Sequence, residues 1–229
     1  MADIMIKCTN VQKEFRLRGN IIRALVDINL EIYQGEFVFV QGPTGCGKTT
    51  LLNVMSGLDV PDDGSVILDG EDIARASEDR LSSIRRQKVG FVFQDFNLIE
   101  SLTGIENVEA LLWPTVLRSK EIEDRAIQAL RAVDMLERKD HYPRDMSGGE
   151  RQRIGLARAI IHQPRVLFAD EPTGNLDPEA ANHVLKLLKD LNQDMGTTMV
   201  VVTHDNSLTK YGNRTLKMER GRIVSGSKK

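Results

Sequence analysis

The glycine-rich segment "GPTGCGKT", residues 42–49, has the residue types and spacing of a phosphate-binding loop, G-x-x-x-x-G-K-[ST]. Glycines let backbone N–H groups curl around phosphate oxygens without side-chain clashes. Lys48 supplies a positive charge for the β- and γ-phosphates of a nucleotide, and the Thr49 hydroxyl is a ligand for Mg²⁺. The segment lies between an apolar run and a helical pattern, which favours this interpretation over a merely flexible turn. The residues predicted to contact the nucleotide are Gly42, Pro43, Thr44, Gly45, Cys46, Gly47, Lys48, Thr49 and Thr50.

Two adjacent acids in "VLFADEP", residues 166–172, complement this loop. Asp170 lies at the carboxyl end of an apolar, strand-like run, where a carboxylate can hold Mg²⁺ and its water shell. Glu171 beside it is the natural general base for a hydrolytic water. Taken alone, the pair would be better explained as a solvated strand end. Together with the phosphate loop, it predicts nucleotide hydrolysis.

A second glycine segment, "MSGGERQR" at residues 146–153, stands at the start of an amphipathic helical pattern. Ser147 can cap the helix, and Gly148 and Gly149 expose N–H groups at its positive end. The segment has no lysine of its own and lies outside the strand–loop–helix unit of the first motif. The simplest explanation is that it binds a nucleotide held by a second copy of the chain. An ordinary helix N terminus is nearly as good an explanation of this segment by itself.

Two features of the sequence bear on which base the nucleotide carries. The N-K-x-D signature that reads guanine is missing from the sequence. Phe15, in a segment predicted to be a loop, could stack on adenine, although packing in the core is a serious competing interpretation. A phosphate loop with an acidic strand end would fit a kinase, a helicase or a transport ATPase.

The elements that must position these residues follow the pattern of an α/β fold. The strand-type segments "GEFVFVQ", "KVGFVFQ", "RVLFAD" and "TTMVVVTH" alternate with helical patterns, which predicts a mostly parallel sheet. Short strands at the amino end predict an antiparallel β region. We expect one domain over residues 1–229, with an α/β core and β subdomain at 1–94 and 161–229. An inserted helical subdomain is predicted at 95–160.

Two patterns define that helical insertion. Thr103 and Glu106 form a capping-box pattern that opens a helix expected to end at Pro114. In the segment "EIEDRAIQALRAVDML", helical spacing places one apolar face. That predicted face consists of Ile122, Ile127, Leu130, Val133 and Leu136.

Composition narrows the class of protein. The 229 residues are 41% hydrophobic and 28% charged, and the net charge of −2 gives no sequence-wide electrostatic case for nucleic acid. No apolar run approaches the roughly 20 residues that span a bilayer. Cys8 and Cys46 are too few for a disulfide framework and lack metal-ligand spacing. We expect a cytoplasmic protein whose membrane work, if any, is done through a partner.

The motifs together resemble the ATP-binding subunits of ABC transporters over roughly residues 4–226. Within that family the chain is most similar to the lipoprotein-release, macrolide-export and cell-division group, through "FQDFNLIESLTGIENV" and "ADEPTGNLD". The matches occur in the order of the family: Phe15, the phosphate loop, Gln94 in "FVFQD", "MSGGERQR", "VLFADEP", "GNLD" ending in Asp177, and His204 in "VVTHD".

The resemblance implies roles for residues that spacing alone leaves open. Gln94 would contact Mg²⁺ and the attacking water, and His204 would contact the γ-phosphate. Residues 147–149 would bind the γ-phosphate of ATP on the opposite subunit, and Asp177 would cross the interface between subunits. Lys48 and Glu171 would complete the catalytic set. Two ATP molecules would then join two chains in a head-to-tail homodimer.

The implied function is ATP hydrolysis that drives an integral-membrane permease, for export or for extraction of a lipoprotein or lipid substrate. The chain would lie on the inner face of the cell membrane through that permease. The alternative is a mechanotransmitting ATPase that regulates a membrane partner and cell-wall enzymes without moving a substrate.

Three residues raise questions of their own. Met146 and Glu150 stand where the family often has leucine and glutamine, and Glu150 adds negative charge near a γ-phosphate. We therefore expect Glu150 to point away from the phosphate or to be paired. Alkylation of Cys46, inside the phosphate loop, is expected to block ATP binding sterically.

Overall fold

The structure is a computed structural model that describes residues 3–17 and 20–228. Its strands are β1 (Ile4–Leu17), β2 (Asn20–Tyr33), β3 (Phe37–Gln41), β4 (Asp63–Leu68), β5 (Glu71–Asp72), β6 (Val89–Val92), β7 (Val166–Asp170), β8 (Thr198–Thr203), β9 (Arg214–Glu219) and β10 (Arg222–Lys228). Its α-helices are α1 (Lys48–Ser56), α2 (Glu78–Lys88), α3 (Gly104–Glu109), α4 (Ser119–Ala132), α5 (Gly148–Ile160) and α6 (Pro178–Met195). Short 3₁₀ turns occupy Leu136–Arg138, Pro143–Asp145 and Asn206–Tyr211.

A six-stranded sheet in the order β10-β9-β3-β8-β7-β6 forms the centre of the molecule. Strands β9, β3, β8, β7 and β6 pair in parallel, and only β10 pairs antiparallel, with β9. Every residue of β3 and β8 is buried, as expected for strands covered by other elements on both faces. The continuous apolar runs therefore predicted these strands and the mostly parallel sheet, and that prediction is confirmed.

A second sheet, in the order β2-β1-β4-β5, is antiparallel throughout. It confirms the predicted amino-terminal β region but corrects the position of Phe15. Phe15 lies in β1, opposite Ile22 of β2, and not in a loop. The end of this hairpin is exposed on both faces, so its residues lack the apolar alternation that marks a half-buried strand, although the backbone still pairs.

Between β6 and β7 the chain is built from helices and turns. Thr103 and Glu106 form the expected capping box, in which the Thr103 N–H donates to Glu106 Oε2 at 2.7 Å. The helix ends at Glu109, before Pro114, because the Leu112 N–H bonds to the Glu109 carbonyl and closes a tighter turn.

The inner face of α4 also differs from the predicted one. Its buried residues are Ile122, Ala126, Ala129 and Leu130, while Ile127 is only partly buried. The small alanine side chains allow α4 to pack closely against its neighbours, and periodicity of large apolar residues does not detect them. Val133, just beyond the helix, is buried as predicted, and Leu136 packs against the core from a partly buried position.

The sequence motifs of the predicted site meet at one edge of the central sheet. The carboxyl ends of β3, β6, β7 and β8 lead directly into the phosphate loop, Gln94, the acidic pair and His204. Parallel strands commonly place ligand sites at this edge. Within residues 3–17 and 20–228, no helix has both the length and the apolar character that crossing a membrane requires.

Candidate active site

The phosphate loop connects β3 to α1 in a conformation that requires glycine. Gly45 and Gly47 have φ angles of 78° and 105°, in the left-handed region that glycine enters without steric cost. At Gly42, a Cβ atom would lie 2.2 Å from the backbone oxygen of Met218, which leaves no room for any side chain. The loop therefore presents its backbone rather than side chains to whatever lies above it.

Lys48 begins α1 and is only 6% exposed. Its Nζ donates to the backbone oxygens of Gly42, at 2.9 Å, and Pro43, at 3.2 Å. The same atom lies 3.9 Å from a carboxylate oxygen of Glu171. The ammonium group is thus held within the loop and beside the acidic pair, as a phosphate-binding lysine must be.

Asp170, the last residue of β7, meets Thr49 across the site. The Thr49 hydroxyl donates to Asp170 Oδ1 at 3.2 Å. Burial raises the pKa of Asp170, the bond from Thr49 opposes this rise, and the charge of Glu171 adds to it. A bound cation would stabilise the ionised carboxylate that burial disfavours.

Mg²⁺ suits this pair of oxygen donors. It prefers a few protein oxygens together with phosphate oxygens and water. Within the described part of the chain, no cluster of three histidine, cysteine or acidic side chains forms a protein-only metal cage. The residues present therefore fit a magnesium ion that arrives with a nucleotide.

Glu171 is held in an unusual backbone conformation. Its φ of 44° is left-handed, which costs free energy for a residue other than glycine. Its N–H donates to the Val202 oxygen at 3.0 Å, and its own backbone oxygen accepts from Gly174 at 3.0 Å. Its side-chain Oε2 lies 2.5 Å from Nδ1 of His204, just after β8. The carboxylate is therefore aimed between the lysine and the histidine.

Gln94 is tied to the segment that follows the acidic pair. Its Nε2 donates to Asn175 Oδ1 at 3.4 Å, and Asn175 Nδ2 donates back to the Gln94 oxygen at 3.2 Å and to Asp95 at 2.9 Å. A Cβ atom on Gly174 would approach Gln94 Nε2 to 3.0 Å. Asn175 is the asparagine of the "GNLD" motif, and its position within that motif is the sequence signal for this contact, although the motif did not predict it.

A cavity of about 390 Å³ surrounds the exposed part of the phosphate loop. Phe15, 42% exposed, lines its wall together with Ile22, its partner across the hairpin. Residues that sequence analysis missed complete the lining: Arg23, Ala24, Arg220 and Gly221. Strand register could have indicated Ile22, whereas nothing in the local sequence connects the β9–β10 turn with a site 170 residues away.

The second glycine segment opens α5 as predicted. The Ser147 hydroxyl accepts from the Glu150 N–H at 3.2 Å, and Glu150 Oε2 accepts from the Ser147 N–H at 2.8 Å. Arg138 Nε lies 3.1 Å from the other carboxylate oxygen of Glu150. The bond from the Ser147 backbone and, to a smaller extent, Arg138 hold the pKa of Glu150 below its usual range. The expectation that this acid is paired is therefore confirmed.

Residues 147–149 are not among the described residues that line the phosphate-loop cavity. Gly148 instead lies beside Phe96 and Asn175 of the same chain, and Gly149 lies beside Ala180 at the start of α6. The chain thus carries a phosphate loop and, apart from it, the N terminus of α5 with its two glycines. Because the two features lie apart, binding of a nucleotide at the phosphate loop of the same chain does not explain the Ser147 segment.

Asp177 and Cys46 each have a local structural role. Asp177 caps α6 by accepting from the N–H groups of Glu179, at 3.0 Å, and Ala180, at 2.9 Å. The contact of Asp177 with a second chain stays a prediction. Cys46, a residue of the loop itself, is buried, and its Sγ lies 2.7 Å from the position that a Cβ atom on Gly42 would occupy. Its alkylation would have to displace the loop, so the expected block of ATP binding stays a prediction too.

Comparison with known proteins decides the family. The sequence model of the family described as ABC transporter matches residues 25–174, which include the phosphate loop, Gln94, the Ser147 segment and the acidic pair. The chain belongs to the ABC transporter family. It is the ATP-binding part of such a transporter and an ABC-type ATPase.

Curated ABC relatives match over nearly the whole chain. An uncharacterized ABC transporter ATP-binding protein of Methanocaldococcus jannaschii, MJ0796, is 42% identical over 96% of this chain and 95% of its own length. The lipoprotein-releasing system ATP-binding protein LolD 1 of Chlorobium chlorochromatii is 39% identical over 98% of this chain and 92% of its own. The macrolide export ATP-binding/permease protein MacB of Chlorobaculum tepidum is 40% identical over 98% of this chain but only 34% of its own length.

Solved structures agree with the fold. A dimeric, post-hydrolysis structure of the MJ0796 cassette bound to ADP and phosphate superposes with a TM-score of 0.91, at 39% identity, and covers 98% of each chain. A second dimeric structure of MJ0796 gives the same TM-score at 40% identity. As the motifs predicted, the chain is similar to members of the lipoprotein-release and macrolide-export group.

Proposed function

We propose that the chain hydrolyses ATP at two composite sites of a head-to-tail homodimer and thereby drives a membrane permease. The observation that carries this proposal is the separation of two phosphate-binding features within one chain. The cavity of the phosphate loop contains Lys48 and Glu171 but not the helix N terminus at Ser147. In a head-to-tail dimer, the N terminus of α5 in each chain would face the nucleotide bound on the phosphate loop of the other chain. The dimeric structures of MJ0796 support this arrangement.

In the proposed reaction, the phosphate loop and Lys48 hold the β- and γ-phosphates of ATP. Thr49 and Asp170, with Gln94 nearby, would hold Mg²⁺, which supplies positive charge to the phosphate oxygens when it is bound. Glu171 accepts a proton from water, whose oxygen attacks the γ-phosphorus as the bond to the bridging oxygen of ADP breaks.

Two side chains position that water. His204 lies against Glu171 at 2.5 Å and is close to where the γ-phosphate would lie. Gln94, held by Asn175, would orient the water from the opposite segment. The products are ADP and inorganic phosphate. Because phosphoryl transfer asks little covalent chemistry of a protein, positioning and electrostatics supply most of the acceleration.

Phe15 is expected to provide the stacking surface for adenine. Replacing Phe15 by alanine should raise the KM for ATP about tenfold, because stacking of a base on an aromatic ring contributes roughly 1–3 kcal/mol. Leu17→Ala is the matched control, since Leu17 is 61% exposed on the same strand and does not line the cavity. Steady-state ATPase assays measure both. Equal KM values for Phe15→Ala and the parent would show that Phe15 only packs against the hairpin.

Arg138 is expected to neutralise Glu150 near the γ-phosphate of the opposite subunit. Arg138→Met should raise the ATP concentration that gives half-maximal dimerisation by about two- to fivefold, a modest effect because the pair is partly exposed. Adding Glu150→Gln should reverse the change, since the amide still accepts from Ser147 but carries no charge. Light scattering as a function of ATP concentration measures dimerisation, and Arg144→Met is the control variant. Failure of the double variant to recover would exclude the charge as the cause.

The permease is expected to bind in a groove beside Gln94. This groove, of about 520 Å³, lies between α2, β6, α5 and the segment after α3. Apolar residues such as Phe91 and Leu111 line it, and Arg86 and Arg158 add positive charge. Its lining includes Phe93 and Asn97, which lie on either side of Gln94. We propose that an amphipathic cytoplasmic segment of the permease, with an acidic residue, occupies it and so acts on Gln94.

Relatives support a permease partner, because MacB carries both an ATP-binding and a permease function by name in one longer chain. The test is copurification of this chain with a membrane protein encoded by a gene adjacent to its own. Arg86→Glu should abolish copurification and the stimulation of ATPase activity by that protein, while basal activity is retained. Arg131→Glu, at the exposed end of α4, should do neither. Copurification that survives Arg86→Glu unchanged would place the permease elsewhere.

A further inference from the structure

Gln152 is a polar side chain with no exposed surface, in the first turns of α5. Its Nε2 donates to two backbone oxygens, that of Phe93 at 3.2 Å and that of Pro172 at 2.7 Å. These oxygens belong to segments distant from each other in sequence. One buried amide therefore connects three parts of the chain.

The two accepting residues stand next to the water-positioning Gln94 and the proposed base Glu171. Phe93 directly precedes Gln94, and Pro172 directly follows Glu171. Both lie beyond the last residues of β6 and β7, where the ladder between strands has ended. Gln152 thus supplies donors where the sheet no longer does.

The orientation of the Gln152 amide is fixed by these partners. Both hydrogens of Nε2 are used, and reversal of the amide would place Oε1 against two carbonyl oxygens. Oε1 is itself buried, with no hydrogen-bond partner in the described residues. An unsatisfied buried acceptor lowers stability, so the two donated bonds are retained although Oε1 is left without a partner.

Gln94 and Glu171 are also joined directly. Asn175 bonds to both the side chain and the backbone of Gln94, and Gly174 bonds through its N–H to the backbone oxygen of Glu171. The water-positioning Gln94 and the proposed base Glu171 therefore belong to one hydrogen-bonded unit. Gln152 is the buried side chain that attaches this unit to α5.

We propose that Gln152 is a positioning residue that couples the two ATP sites of the dimer. This inference rests on the proposed head-to-tail function. The N terminus of α5 would contact the nucleotide on the opposite chain, whereas Gln94 and Glu171 act on the nucleotide of their own chain. When α5 shifts upon contact with one ATP, Gln152 transmits the shift to the backbone on both sides of the other site. ATP bound at one site thereby sets the geometry of hydrolysis at the second.

The test compares Gln152→Met with the parent protein as full chains. Methionine has a similar volume but cannot donate either hydrogen bond. We expect the Hill coefficient of ATP hydrolysis to fall from about 2 toward 1, and kcat to fall about tenfold. The affinity of the monomer for ADP, measured by calorimetry, should stay within about twofold, since the phosphate loop is untouched.

Asn192→Leu is the matched control for a merely structural role. The Asn192 amide likewise donates to two backbone oxygens, those of Gly35 at 3.0 Å and Thr197 at 2.7 Å, but it lies away from the phosphate loop. The Asn192→Leu variant should have a lower melting temperature than the parent but the same Hill coefficient for ATP hydrolysis. If both variants change cooperativity equally, or if Gln152→Met changes neither cooperativity nor kcat, the coupling role is wrong.

A second variant covers failure of the first to fold. In Gln152→Glu a protonated carboxyl can donate one of the two bonds, so the Hill coefficient relative to the parent should recover partly as pH falls. If the ratio of the Hill coefficient of Gln152→Glu to that of the parent is the same at every pH, the inference is also overturned. A parent chain that never dimerises with ATP would instead contradict the proposed function itself. The two failures are therefore distinguishable.

Discussion

Replacing Glu171 by glutamine is expected to reduce ATP turnover by about 10²-fold or more, because the amide cannot accept the proton of the attacking water. The side chain keeps its size, so the contact with His204, at 2.5 Å in the parent, has a close substitute. Nucleotide binding should persist, since Lys48 bonds to the loop backbone and does not depend on Glu171 for its position. Phosphate release under saturating ATP measures the loss.

The same variant is expected to accumulate an ATP-bound dimer. If hydrolysis is what loosens the two chains, blocking it leaves ATP in place between them, and the dimer should elute as such in gel filtration. Glu123→Gln, which removes an exposed acid on α4, is the control and should behave as the parent. A Glu171→Gln chain that hydrolyses ATP normally would remove the residue from the role of base. One that stays monomeric with ATP would contradict the proposed dimer.

The sequence predicts those parts of the fold whose signals are local. The buried strands of the central sheet appear as continuous apolar runs, and the helix caps at Thr103 and Ser147 are indicated by the residue types at the cap and in the first turn. The phosphate loop follows from the need for glycine at left-handed and crowded positions. In each case, the residue type and its close neighbours carry the physical requirement.

Contacts between distant segments are what the sequence does not predict. Phe15 lies in a strand because β2 pairs with it, and this exposed end of the hairpin has no apolar alternation to reveal the pairing. Arg138 reaches Glu150 from a 3₁₀ turn, and nothing in its own surroundings marks it as a partner. Gln152 lies within a recognised motif, yet its partners are 59 and 20 positions away. Such residues become visible only when the elements are assembled.

The candidate site divides in the same way. Lys48, Thr49 and Asp170 were expected to act together, and the structure brings their side chains around one loop. The roles of Gln94, His204 and Asp177 came from resemblance to the family rather than from spacing. Their positions are consistent with activity on a nucleotide, except that Asp177 has an evident local role as a helix cap.

Mixing two inactive variants should restore ATPase activity if complete sites form only between chains. Lys48→Ala disables the phosphate loop, and Ser147→Glu places a negative charge against the γ-phosphate on the opposite loop. In a mixed dimer, both defects fall on one composite site and the other site is intact. With random pairing and independent sites, an equal mixture should recover roughly a quarter of the parent activity.

The matched control for this mixture is Lys48→Ala combined with Glu171→Gln. Both of these defects lie on the loop side of a site, so each composite site in a mixed dimer carries one of them and no activity should return. Crosslinking between differently tagged chains verifies that mixed dimers form in either mixture. Recovery in the first mixture but not in the second requires that Ser147 acts on the partner's nucleotide. If mixed dimers form and neither mixture recovers activity, one intact composite site is not sufficient for hydrolysis, and independent sites shared between two chains are excluded.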